Sequence, residues 1–170
     1  MHLLAAATGA ALDDFYKTVA TISFTLLGLW WVVVQLKYKE AAGDVRRRRH
    51  AYTVSLYFLL PGVMTLVASV DSDLSLLWRL SFGLTAVLGL AEVAFYVTTD
   101  GIKSRGAATL RVLAVVLYAL IGLFALRPAL ADGLGMGARE VEAIFSGLLI
   151  VVGVHLAWFG LTESHETAGA

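Results

Sequence analysis

Cysteine is missing from this chain of 170 residues, which excludes a disulfide framework, thiolate metal sites and thiol-based redox catalysis. Charge is scarce as well. Only 15% of the residues are charged, against roughly 25% in ordinary soluble domains. The thirteen basic and thirteen acidic side chains cancel, so there is no overall basic field with which to hold nucleic acid. Proline is limited to Pro61 and Pro128. Polar stretches are short, and the longest connection, residues 127–140, is Gly- and Ala-rich text that leaves no room for a soluble domain.

What is present is apolar sequence. Hydrophobic residues make up 59% of the chain and the mean hydropathy is +0.79, a composition for which a bilayer is the natural solvent. Apolar windows run over about 15–36, 51–70, 74–98, 107–126 and 141–161. Each is long enough to cross about 30 Å of hydrocarbon at 1.5 Å per residue. The windows are continuous and do not alternate with period two, so helices are expected and not a barrel. The fold expected is an all-α integral membrane bundle of five transmembrane helices in a single domain. Pro61, followed by Gly62, frees a carbonyl one turn earlier and predicts a kink in the second helix. The opening stretch MHLLAAATGAALDD lacks a cationic leader region and is expected to be a mature extramembrane segment.

The basic residues set the expected orientation. Lys37, Lys39, Arg46 to Arg49, Lys103, Arg105 and Arg111 fall on one side, nine of thirteen. The other side carries Lys17, Arg79, Arg127 and Arg139 with seven acids, Asp13, Asp14, Asp71, Asp73, Asp132, Glu140 and Glu142. The positive-inside rule then predicts the N-terminus outside and the C-terminus cytoplasmic, in a plasma (inner) membrane. Tyr38, Tyr52 and Tyr96 near one boundary, and Phe15, Tyr16 and Trp78 near the other, are expected as interfacial anchors. The run Arg46, Arg47, Arg48 and Arg49 is read either as a topology determinant or as a site for anionic lipid headgroups.

Ionisable residues inside the windows are the main functional signal, because a central charge costs about 2.5 to 3.5 kcal/mol even on the gentler scales. Glu92 and His155 each lie about seven residues before the end of a helix running in the same direction, so they are expected at one depth, where a carboxyl and an imidazole share a proton. The competing reading is an interhelical hydrogen bond that fixes packing, with Arg111 and Gln35 as further members. Thr85, Gly89, Glu92 and Tyr96 form one face of the third helix. Arg79 lies on nearly the opposite face and is expected to reach Asp71 or Asp73, or to snorkel. Thr18, Thr21 and Thr25 continue a polar stripe from Asp14 along the first helix. They line either a water-filled vestibule or return their hydroxyls to their own backbone. Gly153, Ala157 and Gly160 make a small-residue seam on the fifth helix, with His155 pointing away from it.

No GxSxG, HExxH, Walker or dinucleotide fingerprint occurs, and His2, His50, His155 and His165 are too scattered for a metal cluster. No catalytic role and no cofactor or metal is therefore expected, although His165 with Glu163 and Glu166 makes a weak metal candidate in the tail. The functional expectation is an oligomeric ion or proton channel, or small transporter, using Glu92, His155, Arg111, Thr18, Thr21 and Thr25. The alternative is a non-catalytic accessory or scaffold subunit of a larger membrane complex. Expected partners are the lipid bilayer, anionic lipids, and further copies of the chain or a larger complex.

Overall fold

A backbone surrounded by hydrocarbon must satisfy its own amides, and a segment that is apolar on every side does so locally as an α-helix. The computed structural model describes residues 2–38, 45–70, 75–100 and 105–162. It contains five long helices: α1 (His2–Tyr38), α2 (Val45–Ala68), α3 (Ser75–Asp100), α4 (Arg105–Leu126) and α5 (Ala138–Thr162). Each contains a stretch long and apolar enough to cross a membrane. The chain is thus a multi-pass, all-helical membrane protein.

The helices extend past the apolar windows where good helix formers flank them. α1 begins at His2 because Leu and Ala fill its first turns, and α2 begins at Val45 and takes the arginine run into its first turn. Hydropathy marks bilayer length and is blind to these polar or amphipathic extensions. α2 continues through Pro61, where the Thr65 hydroxyl donates to the Pro61 carbonyl at 2.6 Å and to the Gly62 carbonyl at 3.2 Å. α5 starts with half of a capping box: the Gly137 amide donates to Glu140 Oε2 at 3.1 Å. Two short 3-10 turns, Pro128–Leu130 and Asp132–Leu134, link α4 to α5. Gly135 follows at φ +69°, a conformation that suits a residue without Cβ.

Contacts between helices fix an up-and-down bundle. Trp30 late in α1 donates from Nε1 to the Ala51 carbonyl early in α2 at 2.9 Å, and Thr53 early in α2 bonds Glu92 late in α3. Arg79 early in α3 reaches the last carbonyls of α4. α1 and α5 run parallel, since Tyr16 donates to the Arg139 carbonyl at 2.6 Å. α2 is the central helix, packed on α1, α3 and α5, while α4 packs on α3 and α5. Accordingly 67% of the apolar window of α2 is buried against 22% for α1. Large apolar side chains such as Leu29, Leu84, Val112 and Trp158 point outward on the other four helices, where lipid tails are their solvent.

Lipid is as apolar as leucine, so helix association here rests on close packing and interhelical hydrogen bonds. The core contains Tyr16, Tyr57, Phe82, Met64, Tyr118 and Ile121, all nearly or fully buried. Glycines admit the rings. Gly89 of α3 lies under the Tyr118 ring of α4, and Gly153 of α5 lies against Tyr57 and Phe58 of α2. Gly160 of the same α5 seam lies against the His50 ring of α2, so this small-residue face packs inside the protomer. Of the expected interfacial anchors, Phe15 and Tyr52 are exposed, whereas Tyr16, Trp78 and Tyr96 are buried in the bundle. Tyr16 packs on Phe82 of α3 and Tyr96 on Arg111 of α4, while Trp78 packs on Phe82 of its own helix; Tyr38 lies outside the residues whose side chains are described.

A Cβ placed on Gly89 sits 2.5 Å from the Tyr118 ring, whereas one on Gly83 of the same helix meets nothing within 4 Å. Gly89→Ala is expected to lower stability by about 1 to 3 kcal/mol through overpacking. Gly83→Ala is expected to be neutral or slightly stabilising. Thermal unfolding of the two variants in detergent micelles, followed by circular dichroism, checks the pair.

Candidate functional site

Two polar groups are built into the bundle, one toward each end. At the arginine-rich end, where α2 and α4 begin and α1, α3 and α5 finish, Glu92 is half-buried on α3. Its Oε1 accepts a short hydrogen bond of 2.5 Å from Thr53 Oγ1 on α2. Arg111 of α4 is buried, and its guanidinium carbon lies 4.1 Å from the centre of the Tyr96 ring on α3, a cation–π contact strengthened by exclusion of water. Its Nη1 is buried and has no hydrogen-bond partner among the described residues. One turn deeper, Tyr57 of α2 lies within electrostatic reach of both Arg111 and Glu92, and its ring centre is 6.3 Å from that of Tyr118 on α4. Three helices therefore converge their polar groups around Glu92.

Beside Glu92, a lateral groove of about 410 Å³ opens between the start of α2 and the end of α3. Val45, Arg48, Arg49, Tyr52, Glu92 and Phe95 line it, and the Arg49 guanidinium lies 5.3 Å from the centre of the Phe95 ring. Cationic heads and apolar walls in one groove suit an anionic amphiphile. The side chains of Arg46 and Arg47 lie outside the described residues, as do Lys39, Asp71, Asp73, Lys103, Glu163, His165 and Glu166.

The remaining expected members do not join this group. His155 is exposed, and its Nδ1 is 2.8 Å from the Val151 carbonyl of its own helix. α3 and α5 do not pack along one another, so the Glu92 and His155 pair expected from equal depth is not assembled. Depth follows from position along a helix, whereas meeting requires neighbouring helices, and α2 and α4 are the neighbours of α3. Thr18, Thr21 and Thr25 are exposed, and each donates at 2.8 Å to a carbonyl four residues earlier, those of Asp14, Lys17 and Thr21. Within the protomer the stripe satisfies itself, as serine and threonine in hydrocarbon commonly do. Gln35 is exposed at the far end of α1.

Arg79, expected to reach Asp71 or Asp73, which lie outside the described residues, or to snorkel, meets the end of α4 among the described residues. Its Nε donates to the Ala125 carbonyl at 2.8 Å and its Nη2 to the Leu126 carbonyl at 3.1 Å. It thereby caps carbonyls at the C-terminus of α4 that have no helical amide.

The second polar group lies at the opposite end, among residues that the sequence marks only as charges of one side. Arg139 at the start of α5 donates from Nη2 to Asp13 Oδ1 on α1 at 2.8 Å and to the Ala68 carbonyl ending α2 at 3.2 Å. Its guanidinium carbon lies 5.4 Å from the Tyr16 ring centre. One turn further in, Glu142 is fully buried, at 0% exposure. A local signal was available: Glu140 and Glu142 are two apart on one helix and so cannot face the same way. Glu140 caps the helix start, and Glu142 turns into the core.

No family model, no curated protein and no solved structure matches the chain.

The Asp13–Arg139 pair is largely shielded, with side-chain exposures of 27% and 18%, whereas Asp14 pairs with Lys17 at 77% and 61% exposure. Asp13→Ala is expected to destabilise by about 1 to 3 kcal/mol, between the values for exposed and buried pairs, and Asp14→Ala by less than about 0.5 kcal/mol. Comparison of the two melting temperatures in the same detergent tests the difference.

Proposed function

We propose that the protein is an oligomeric proton or ion channel, or a small transporter, of the plasma (inner) membrane, with its N-terminus outside and its C-terminus cytoplasmic. The observation that carries this reading is Glu92, an ionisable group one turn inside a membrane span, tied to Thr53 and open to a groove at the bundle end. An intramembrane carboxyl is expensive to keep and commonly marks an ion or proton path. Arg111, Tyr57 and Tyr118 extend its polar surroundings toward the middle of the bundle. A protomer of five helices encloses little space once its core is packed, so a pathway of useful width forms between copies. The outward hydroxyl stripe of Thr18, Thr21 and Thr25 on α1, the least buried helix, supplies a face of the right kind for such a contact. Arg48 and Arg49, continuing the run from Arg46 and Arg47, hold anionic lipid headgroups at the cytoplasmic mouth.

A second reading is a non-catalytic accessory or scaffold subunit. It draws support from the outward position of His155 and of the threonine stripe, which on this view meet another chain.

In liposomes containing only this protein, the wild type is expected to dissipate an imposed proton or cation gradient, with Glu92→Gln slowing it at least about tenfold. Thr53→Val, which removes the donor to Glu92, is expected to shift the pH dependence of the flux. His155→Ala is expected to leave flux unchanged, because its ring faces away from the Glu92 group. Absence of wild-type flux for protons and several cations overturns the reading, and co-purification of another chain then favours the accessory subunit.

A further inference from the structure

Glu142 takes no part in the reading above, yet it is the most completely enclosed charged side chain of the described residues. Both Oε1 and Oε2 are buried, and neither has a hydrogen-bond partner among the described residues. An ionised carboxylate in that state carries the full cost of desolvation, which a neutral acid avoids. The groups facing it do not compensate. From α5, Arg139 directs Nη2 to Asp13 and to the Ala68 carbonyl, and its Nε is buried without a partner among the described residues. From α3, Arg79 is within electrostatic reach but donates to the Ala125 and Leu126 carbonyls that close α4. From α1 come Asp13 and Tyr16, the latter a buried phenol whose hydroxyl donates to the Arg139 carbonyl. α2 faces the site with the Ala68 carbonyl, and α4 with the two carbonyls held by Arg79. The Ser146 hydroxyl one turn deeper is buried and donates to the Glu142 main-chain carbonyl at 2.7 Å, leaving the carboxyl alone.

Arg139 lies one helical turn nearer the end of the bundle than Glu142 and is held there by α1 and α2. We propose that Glu142 is a proton-binding site at this end of the bundle, and that the Asp13–Arg139 pair is the cover controlling its exchange with the aqueous phase. The ligand is a proton: hydronium delivers it, an O–H bond forms on the carboxylate, and water is left behind. Release reverses the step. When the Arg139 guanidinium lets go of Asp13 it is free to turn to the carboxylate and stabilise it, so loss of the proton and opening of the cover are coupled.

Protonation of Glu142 is read spectroscopically, independently of Glu92 and of flux. The protein is reconstituted in phosphatidylcholine vesicles, and the C=O stretch of protonated carboxyls is followed by infrared difference spectroscopy between pH values, with exchange into deuterated water. The wild type is expected to show a protonated-carboxyl band at neutral pH that Glu142→Gln abolishes and Glu92→Gln leaves in place. Asp13→Asn, which removes the charge that holds Arg139, is expected to weaken the band as the guanidinium turns to the carboxylate. Deuterium exchange of the remaining band is expected to speed up at least about tenfold, since the cover is then loosened. If Glu142→Gln does not fold, Glu142→Asp, which retains the acid, is expected to move the band. Absence of the band in the wild type, its persistence in Glu142→Gln, or its immobility in Glu142→Asp overturns the assignment. Unchanged exchange in Asp13→Asn overturns the role of the cover.

Discussion

The last carbonyls of a helix have no amide of their own helix to receive, and beside a bilayer they have little water either. This chain answers that need with guanidiniums. Arg79 closes the end of α4 through Ala125 and Leu126, and Arg139 reaches the end of α2 through Ala68. Both arginines belong to neighbouring helices, so the act of capping also sets which helices stand side by side. The aromatic layer beneath them depends on the same placement: Tyr16 meets Phe82 edge-on at 6.0 Å, and Trp78 meets Phe82 at 6.2 Å. Phe82 of α3 thus meets one ring from α1 and one from a turn earlier on its own helix.

At the other end the logic is different. The arginine run opens α2, where cations oppose the helix dipole and gain nothing from capping. Arg49 instead lies against an aromatic ring, as does Arg111, and the acid of the region is held by a hydroxyl. Glu92 and Arg111 are thus each held by an uncharged partner, with no direct ion pair between them among the described residues. The central position of α2 makes this possible, since it alone presents side chains to α1, α3 and α5.

Hydropathy alone was enough to count and place the five helices, because an apolar run of membrane length has few alternatives. Helix ends were less legible, since alanine, leucine and arginine prolong a helix beyond the hydrocarbon without altering its apolar window. Helix phase was read well on α5, where Gly153 and Gly160 face the core and His155 faces out. Neighbour relations were not legible. Glu92 and His155 stand at similar distances from their helix ends in the sequence but belong to helices that do not pack along one another, a fact stored in the three-dimensional arrangement and in no single segment. Glu142 is hard to single out for a related reason: it stands among the acids that set the orientation, and charge counting does not reveal that one turn of helix carries it to full burial.

The bond from Tyr16 to the Arg139 carbonyl joins positions 123 residues apart, which has a consequence for how the bundle is put together. Helices enter a membrane from the N-terminus onward and assemble afterwards. α1 can dock on α2 as soon as both are inserted, but its buried phenol, together with Asp13, finds its partners only when the start of α5 arrives. Until then the first helix carries an unanswered hydroxyl and carboxylate into its surroundings. The last helix to be made is therefore the one that completes the first, and a chain cut short before Ala138 would leave its own beginning unfinished.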